Sequence, residues 1–363
     1  MLEGVLVLSR NMIEANGKIF SALVNFVSEG EPRINLADNP RFIKSNQRDK
    51  EIIKRFRILK SEKIARLIRV AIGKLDEENS YMIVVGPKIA KNSIGEIFEF
   101  VPMNAGWFTV IISEMSVDIA TDTSGYAVAD VLRDRHKNAS SLYDGHDFSE
   151  ISEFFMPVSV FVIPSSGPLK DCGLHRIAGI FLCAKKELLN LDIPPDLINE
   201  FEKLFLEGPD NLPFEELLNS LTSLRWKDAY LDVYRCLERI FPYSYMRSLR
   251  NKVETIKPID EMIGIVEDVL GWRVSENSAI ATILTDCDPV EKQLFLNVKK
   301  HLYGQQEGPI GVELIYKIRN SIVHHRIREE NIHKRLRAED WVSLVRGLLS
   351  VVKKQYLEYG GAV

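Results

Sequence analysis

Four cysteines among 363 residues, Cys172, Cys183, Cys236 and Cys287, are too few and too scattered for a disulfide scaffold. Cys172-x2-His175 with Cys183 offers three metal-ligand types, but no fourth lies nearby, so no metal site is expected. Such cysteine usage suits a reducing cytoplasm. Long hydrophobic runs are also missing. FMPVSVFVIP at residues 155–164 falls short of the roughly 20 apolar residues that span a bilayer, and the start MLEGVLVLSRN carries no basic segment, so neither anchor nor export signal is expected. There is no repeat period and no low-complexity tract. No G-x-S-x-G occurs, and the Gly17-Lys18 and Gly73-Lys74 pairs lack the upstream glycine of a phosphate loop, because Met12 and Ile68 stand there. Hydrolase chemistry of the serine-elbow type and P-loop ATP hydrolysis therefore find no support, and Asp144-Gly145-His146-Asp147 reads as a polar loop.

A strong excess of either charge is lacking too: 47 Lys and Arg stand against 51 Asp and Glu, a net −4. With 45% hydrophobic and 27% charged residues the composition is that of a globular protein, and the length favours two domains over one. The charge is uneven. Residues 221–363 hold 22 basic and 19 acidic side chains, which leaves 25 and 32 for residues 1–220. Within the second half, residues 317–337 carry seven basic against two acidic residues, a local patch able to attract phosphates.

Residues 1–208 mix both periodicities. Short Val-, Ile- and Phe-rich runs at 2–8, 81–85, 96–101, 107–112, 116–120, 157–163 and 177–183 predict strands, and 49–75 keeps apolar residues at spacings of three and four, which predicts one long amphipathic helix. The expectation is an α+β domain with an antiparallel or mixed sheet. EGPDNLP at 207–213 predicts a domain junction, with 209–216 as linker. Downstream, helical periods dominate. They predict about five helices: 226–241 stopped by Pro242, 258–270 ended by Gly271, a helix opened by Asp288-Pro289-Val290-Glu291 and closed near Gly304, one from near Gly311 through the His pair, and 338–359.

The segment with chemical content is GVELIYKIRNSIVHHRIR at 311–328. Ile315, Ile318 and Ile322 form a core stripe, while Glu313, Lys317, Asn320 and His324 form a polar stripe at the same spacings, so Asn320 and His324 are expected one turn apart on one face. Arg319 has an arm long enough to reach the same cleft. An arginine fork stabilises charge on a pentacoordinate phosphate, and an imidazole exchanges protons near neutrality.

Arg319-Asn320-Ser321-Ile322-Val323-His324 resembles the R-x4-H motif, with a polar residue after the arginine, of the HEPN superfamily, whose all-helical domains include many metal-independent endoribonucleases of toxin–antitoxin and anti-phage systems. The resemblance covers about residues 217–359 and includes Tyr234-Arg235-Cys236-Leu237-Glu238. It implies an all-α HEPN-like helical bundle at 217–363, following the α+β N-terminal domain that the periodicities predict. It further implies an RNA substrate, no cofactor, and a homodimer whose two motifs meet in a composite cleft. A toxin or abortive-infection role would bring an antitoxin or phage-derived trigger as partner, with residues 1–208 sensing or binding the target, and no membrane. Arg319, Asn320 and His324 would be catalytic, with Glu238, Tyr234, His325 and Arg326 auxiliary and Lys317, Arg328, Lys334, Arg335 and Arg337 contacting RNA. His325 also lies within the spacing the family tolerates, and His324 is preferred for sharing a face with Asn320. One branch of the family places a modified tyrosine two residues past the histidine, where this chain has Arg326. Arg328 and His333 repeat the spacing, but Glu329 and Glu330 follow that arginine. The other reading is a non-catalytic module that dimerises or binds nucleotides or proteins.

Overall fold

Helix α1 (Met12–Gly30) is fixed at its start by the Asn11 side chain, which accepts the Ile13 N–H at 2.9 Å, and it buries Ile19, Phe20, Leu23 and Val27 at spacings of three and four. The computed structural model describes residues 11–36, 40–89, 97–134, 143–285, 287–304, 311–324 and 331–359. The chain divides into two compact units, Met1–Leu174 and His175–Val363.

In the first unit α2 (Gln47–Arg55) opens on a capping box in which Asn46 and Asp49 each bond the other's backbone N–H at 2.9 Å. Five strands follow the order β1-β2-β3-β5-β4, every neighbouring pair antiparallel: β1 (Arg57–Ala65), β2 (Ile68–Lys74), β3 (Ser80–Val85), β4 (Glu99–Val101) and β5 (Val158–Ile163). Helices α3 (Ala105–Met115), α4 (Gly125–Asp134) and α5 (Phe148–Ser152) are the other described helices of this unit. Ala71, Ile83 and Val160 form one row across β2, β3 and β5 and enter a core shared with α1, α2 and α3. Asp49 ties α2 to α3 by accepting the Gly106 N–H at 3.1 Å.

The strands expected at 81–85 and 157–163 are β3 and β5, and that at 96–101 shortens to β4. Others differ. The helix expected over 49–75 is α2 followed by the β1–β2 hairpin. The long cationic side chains of β1, an edge strand, imitate the polar face of a helix, while Ile68, Val70 and Ile72 follow the strand period of two. The strand expected at 107–112 is α3, and that at 177–183 is α6 (Leu174–Ala184). Both runs are buried nearly all round, and an apolar run without alternation does not distinguish strand from helix. At 116–120 only one bridge forms, between Ile119 and Phe155. The strand expected at 2–8 lies outside the described residues.

The second unit is mostly helical: after α6 come α7 (Pro195–Glu207), α8 (Phe214–Thr222), α9 (Trp226–Glu238), α10 (Phe241–Val253), α11 (Ile259–Leu270), α12 (Glu276–Thr285), α13 (Pro289–Tyr303), α14 (Val312–Val323) and α15 (Ala338–Tyr359). Eight described α-helices thus lie beyond residue 213, where about five were expected. Pro242 does not stop α9; it occupies the first turn of α10, where its missing N–H costs nothing. Gly271 does end α11, in the left-handed region, and Asp288 and Glu291 do form the capping box of α13. Helix α15 packs along α9 and α13. The segment 207–213 is a clamped turn inside this unit: Arg176 of α6 donates to the Phe205 and Leu206 carbonyls at 2.7 and 3.0 Å and to Asp210 at 2.7 Å. The division between units accordingly falls upstream of the expected junction. Among the described residues no helix is long and apolar enough to cross a membrane.

Candidate functional site

Helix α14 presents two faces. Ile315, Ile318 and Ile322 are buried, as their spacing predicts, and Lys317 pairs with Glu313 at 2.8 Å on the exposed side. Between them Arg319, with 19% of its side chain exposed, reaches toward the ends of two other helices. Its Nη2 donates to Glu238 Oε1 at 3.1 Å and its Nε meets Glu276 Oε1 at 3.0 Å. Its Nη1 donates to the Asn320 side-chain oxygen at 3.1 Å, and the guanidinium carbon lies 5.9 Å from the centre of the Tyr234 ring. The Tyr234 hydroxyl donates to the same Glu276 oxygen at 2.7 Å. Five side chains from α9, α12 and α14 therefore share one polar cluster.

Each carboxylate arrives by a different local rule. Glu276 is the first residue of α12, where the positive end of the helix dipole favours an acid. Glu238 is the last residue of α9, at the unfavourable negative end, and the Arg319 charge compensates it. Two tyrosines of α9 line the buried side. Burial first, then the hydrogen bond to Glu276, pushes the Tyr234 hydroxyl far above its ordinary range, and burial does the same to Tyr230, which donates to the Ile315 carbonyl at 2.9 Å. Both phenols stay protonated at any physiological pH. They orient neighbours through the hydrogen bonds that these protons make.

No family model, no curated protein and no solved structure matches this chain. The chemistry of the cluster therefore rests on its own geometry. A guanidinium held at three of its nitrogens presents a fixed fork, the form in which arginine recognises phosphate or carboxylate. In this structure two carboxylates fill that role.

Several expected site residues are brought together and others are not. Arg319, Asn320, Tyr234 and Glu238 converge. His324 falls just beyond the helix: α14 ends at Val323, and His324 is its C-cap, with extended backbone, an exposed side chain and its N–H on the Asn320 carbonyl at 2.8 Å. The helix therefore does not run through the His pair. His325, Arg326 and Arg328 lie outside the described residues. Of the expected RNA contacts, Lys334 is exposed, Arg335 donates to the Leu302 carbonyl with its guanidinium 5.9 Å from the Tyr303 ring, and Arg337 bonds Asp340 at 2.9 Å through its N–H and 3.3 Å through Nε. Lys317, Arg335 and Arg337 thus each have a partner within the protein. His333 is a buried packing residue, 3.2 Å from the Ser321 hydroxyl.

The residue missed is Glu276. An acid placed just before the apolar positions Ala279, Ile280 and Ile283 is a helix-start signal, but its meeting with Arg319 is tertiary. Elsewhere, Cys183 is buried, its thiol pushed up by that burial. The 144–147 loop holds His146 fully buried beside Phe20 and Tyr143 while Lys44 pairs with Asp144 at 3.0 Å. No group of three His, Cys, Asp or Glu among the described residues is placed to hold a metal.

Proposed function

We propose that the helical unit is a HEPN-type endoribonuclease that cleaves RNA without a metal, acting as a homodimer with a composite two-fold cleft. The observation that carries this reading is the fixed Arg319 fork, oriented by Asn320 and backed by Tyr234, on the last turn before an exposed His324. In the proposed step a ribose 2′-hydroxyl attacks the adjacent phosphorus in line. The new O–P bond forms as the bond to the 5′ oxygen breaks, one His324 takes the 2′ proton and the leaving oxygen gains a proton from the other. Arg319 stabilises the phosphorane and exchanges a carboxylate, Glu238 or Glu276, for the phosphate. The products are a 2′,3′-cyclic phosphate and a 5′-hydroxyl. Such an enzyme fits a toxin or abortive-infection effector in the cytoplasm, with an antitoxin or phage-derived trigger as partner and the first unit as sensor or target-binding part.

Incubating wild type, Arg319→Ala and His324→Ala with structured RNA in EDTA tests the reading. Cleavage by folded, dimeric wild type alone, leaving cyclic phosphate, is expected. A need for divalent metal, or equal cutting of DNA, which lacks the attacking hydroxyl, overturns it. One observation favours a second reading, a non-catalytic HEPN-like module for dimerisation and nucleotide or protein binding: Arg319 is already matched by two carboxylates. An intact dimer that leaves RNA whole, with its cellular effect unchanged in His324→Ala, selects that reading.

A further inference from the structure

Lys63 of β1 and Arg69 of β2 stand directly opposite each other in the antiparallel register, and Arg69 in turn stands opposite Val85 of β3. Like charges placed this way destabilise a sheet. None of Lys63, Arg69 and the turn residue Arg66 forms an ion pair among the described residues, and Glu62 pairs with Lys60. Arg69 is half-buried and held in place by donating to the carbonyl of Met115, at the end of α3.

These three cations border a cleft of about 140 Å³ whose walls include the buried Ile68, Val85 and Val117. One wall depends on glycine. At Gly86 φ is +120°, and a Cβ there would lie 1.7 Å from the Leu67 carbonyl oxygen, so only glycine lets the end of β3 close against the β1–β2 turn. The one acid on the lining is Asp118.

Opposed cations around an apolar hollow break a local folding rule, and such breaks concentrate at functional sites. We propose that this cleft binds a small organic anion, with a phosphate or carboxylate head among Lys63, Arg66 and Arg69 and an apolar body against Ile68, Val85 and Val117. A body of about one ring matches the scale of this open hollow, since an enclosed cavity of ~150 Å³ takes benzene. This site is independent of the nuclease reading.

Calorimetric titration of the full chain with phenyl phosphate, benzoate, inorganic phosphate and benzyl alcohol tests it. One of the two aromatic anions binds at least about tenfold tighter than inorganic phosphate, because the ring adds apolar burial, and the neutral alcohol does not bind. The tighter of the two identifies the head group. Lys63→Gln and Arg66→Gln each weaken binding about tenfold or more. Lys63→Gln leaves the Tm of the unliganded protein unchanged or higher, because it removes one of two opposed charges, a result that a purely structural lysine would not give. Arg319→Ala binds as wild type. The proposal is overturned by absence of binding at millimolar anion, by unaltered affinity in both glutamine variants, or by loss of binding in Arg319→Ala.

Discussion

Arg319 is the residue on which the helical unit's polar chemistry turns, and its energetics are those of a charge whose partners remain partly wet. Glu238 and Glu276 keep 34% and 25% of their side chains exposed, so solvent screens the triad, yet removing the arginine leaves two carboxylates facing one another. Arg319→Ala is expected to cost about 1–3 kcal/mol, and adding Glu276→Gln to it is expected to restore part of that loss, whereas Glu276→Gln alone destabilises. Urea unfolding of the four proteins closes the cycle, and equal effects of Glu276→Gln in both backgrounds would show that the charges are not coupled. Four of the five members of this cluster are legible in the sequence, as two local pairs. Arg319 and Asn320 are neighbours, and Tyr234 and Glu238 share a face of α9 by their spacing of four. Glu276 is not legible, because nothing local records which helix end another helix will meet. The end of α14 was not legible either: the periodicity predicts a helix through the His pair, and α14 stops at Val323 with His324 as its C-cap.

At the scale of elements, glycines separate requirement from tolerance. Gly86→Ala is expected to cost about 2–4 kcal/mol, since the added methyl meets the Leu67 carbonyl in a backbone region that L side chains avoid. Gly17→Ala in the interior of α1 is the control: nothing lies within 4 Å of its would-be Cβ, and a gain of roughly 0.5–1 kcal/mol is expected from helix propensity. Thermal unfolding of both variants checks the pair, and similar small effects would mean that the β1–β2 turn yields. Two helices of the second unit were legible through their capping chemistry: α13 through Asp288 with Glu291, and α11 through Gly271. Elements settled by tertiary contact were not. Asn104 caps α3 by accepting the Trp107 N–H at 2.9 Å, but the wholly buried run behind it carries no period to read, and only pairing with β2 and the core makes β1 a strand instead of an extension of α2.

At the scale of the whole molecule, the buried ionisable groups are distributed unequally between the two units. In the helical unit burial raises the hydroxyls of Tyr230, Tyr234, Tyr243 and Tyr356, and the thiols of Cys183, Cys236 and Cys287, the last pushed up to about 12 by burial and by Glu291. In the sheet-bearing unit a raised hydroxyl is found at Tyr81, where burial leads, and at the exposed Tyr126, beside Glu31. The sign follows from which state keeps the proton. A raised folded value means that the folded chain holds the proton while the unfolded chain has already lost it, so the stabilisation is complete below the ordinary thiol and phenol values, about 8.5 and 10, and is lost as pH rises through the folded values. Acid leaves these groups protonated in both states and brings no such loss. Alkali is therefore expected to unfold the helical unit before the sheet, with helical far-ultraviolet signal and phenolate absorbance changing together above about pH 10. Phenolate appearing while the helical signal stays constant would show that the tyrosines of α9, α10 and α15 ionise in place, and that their burial does not secure the bundle.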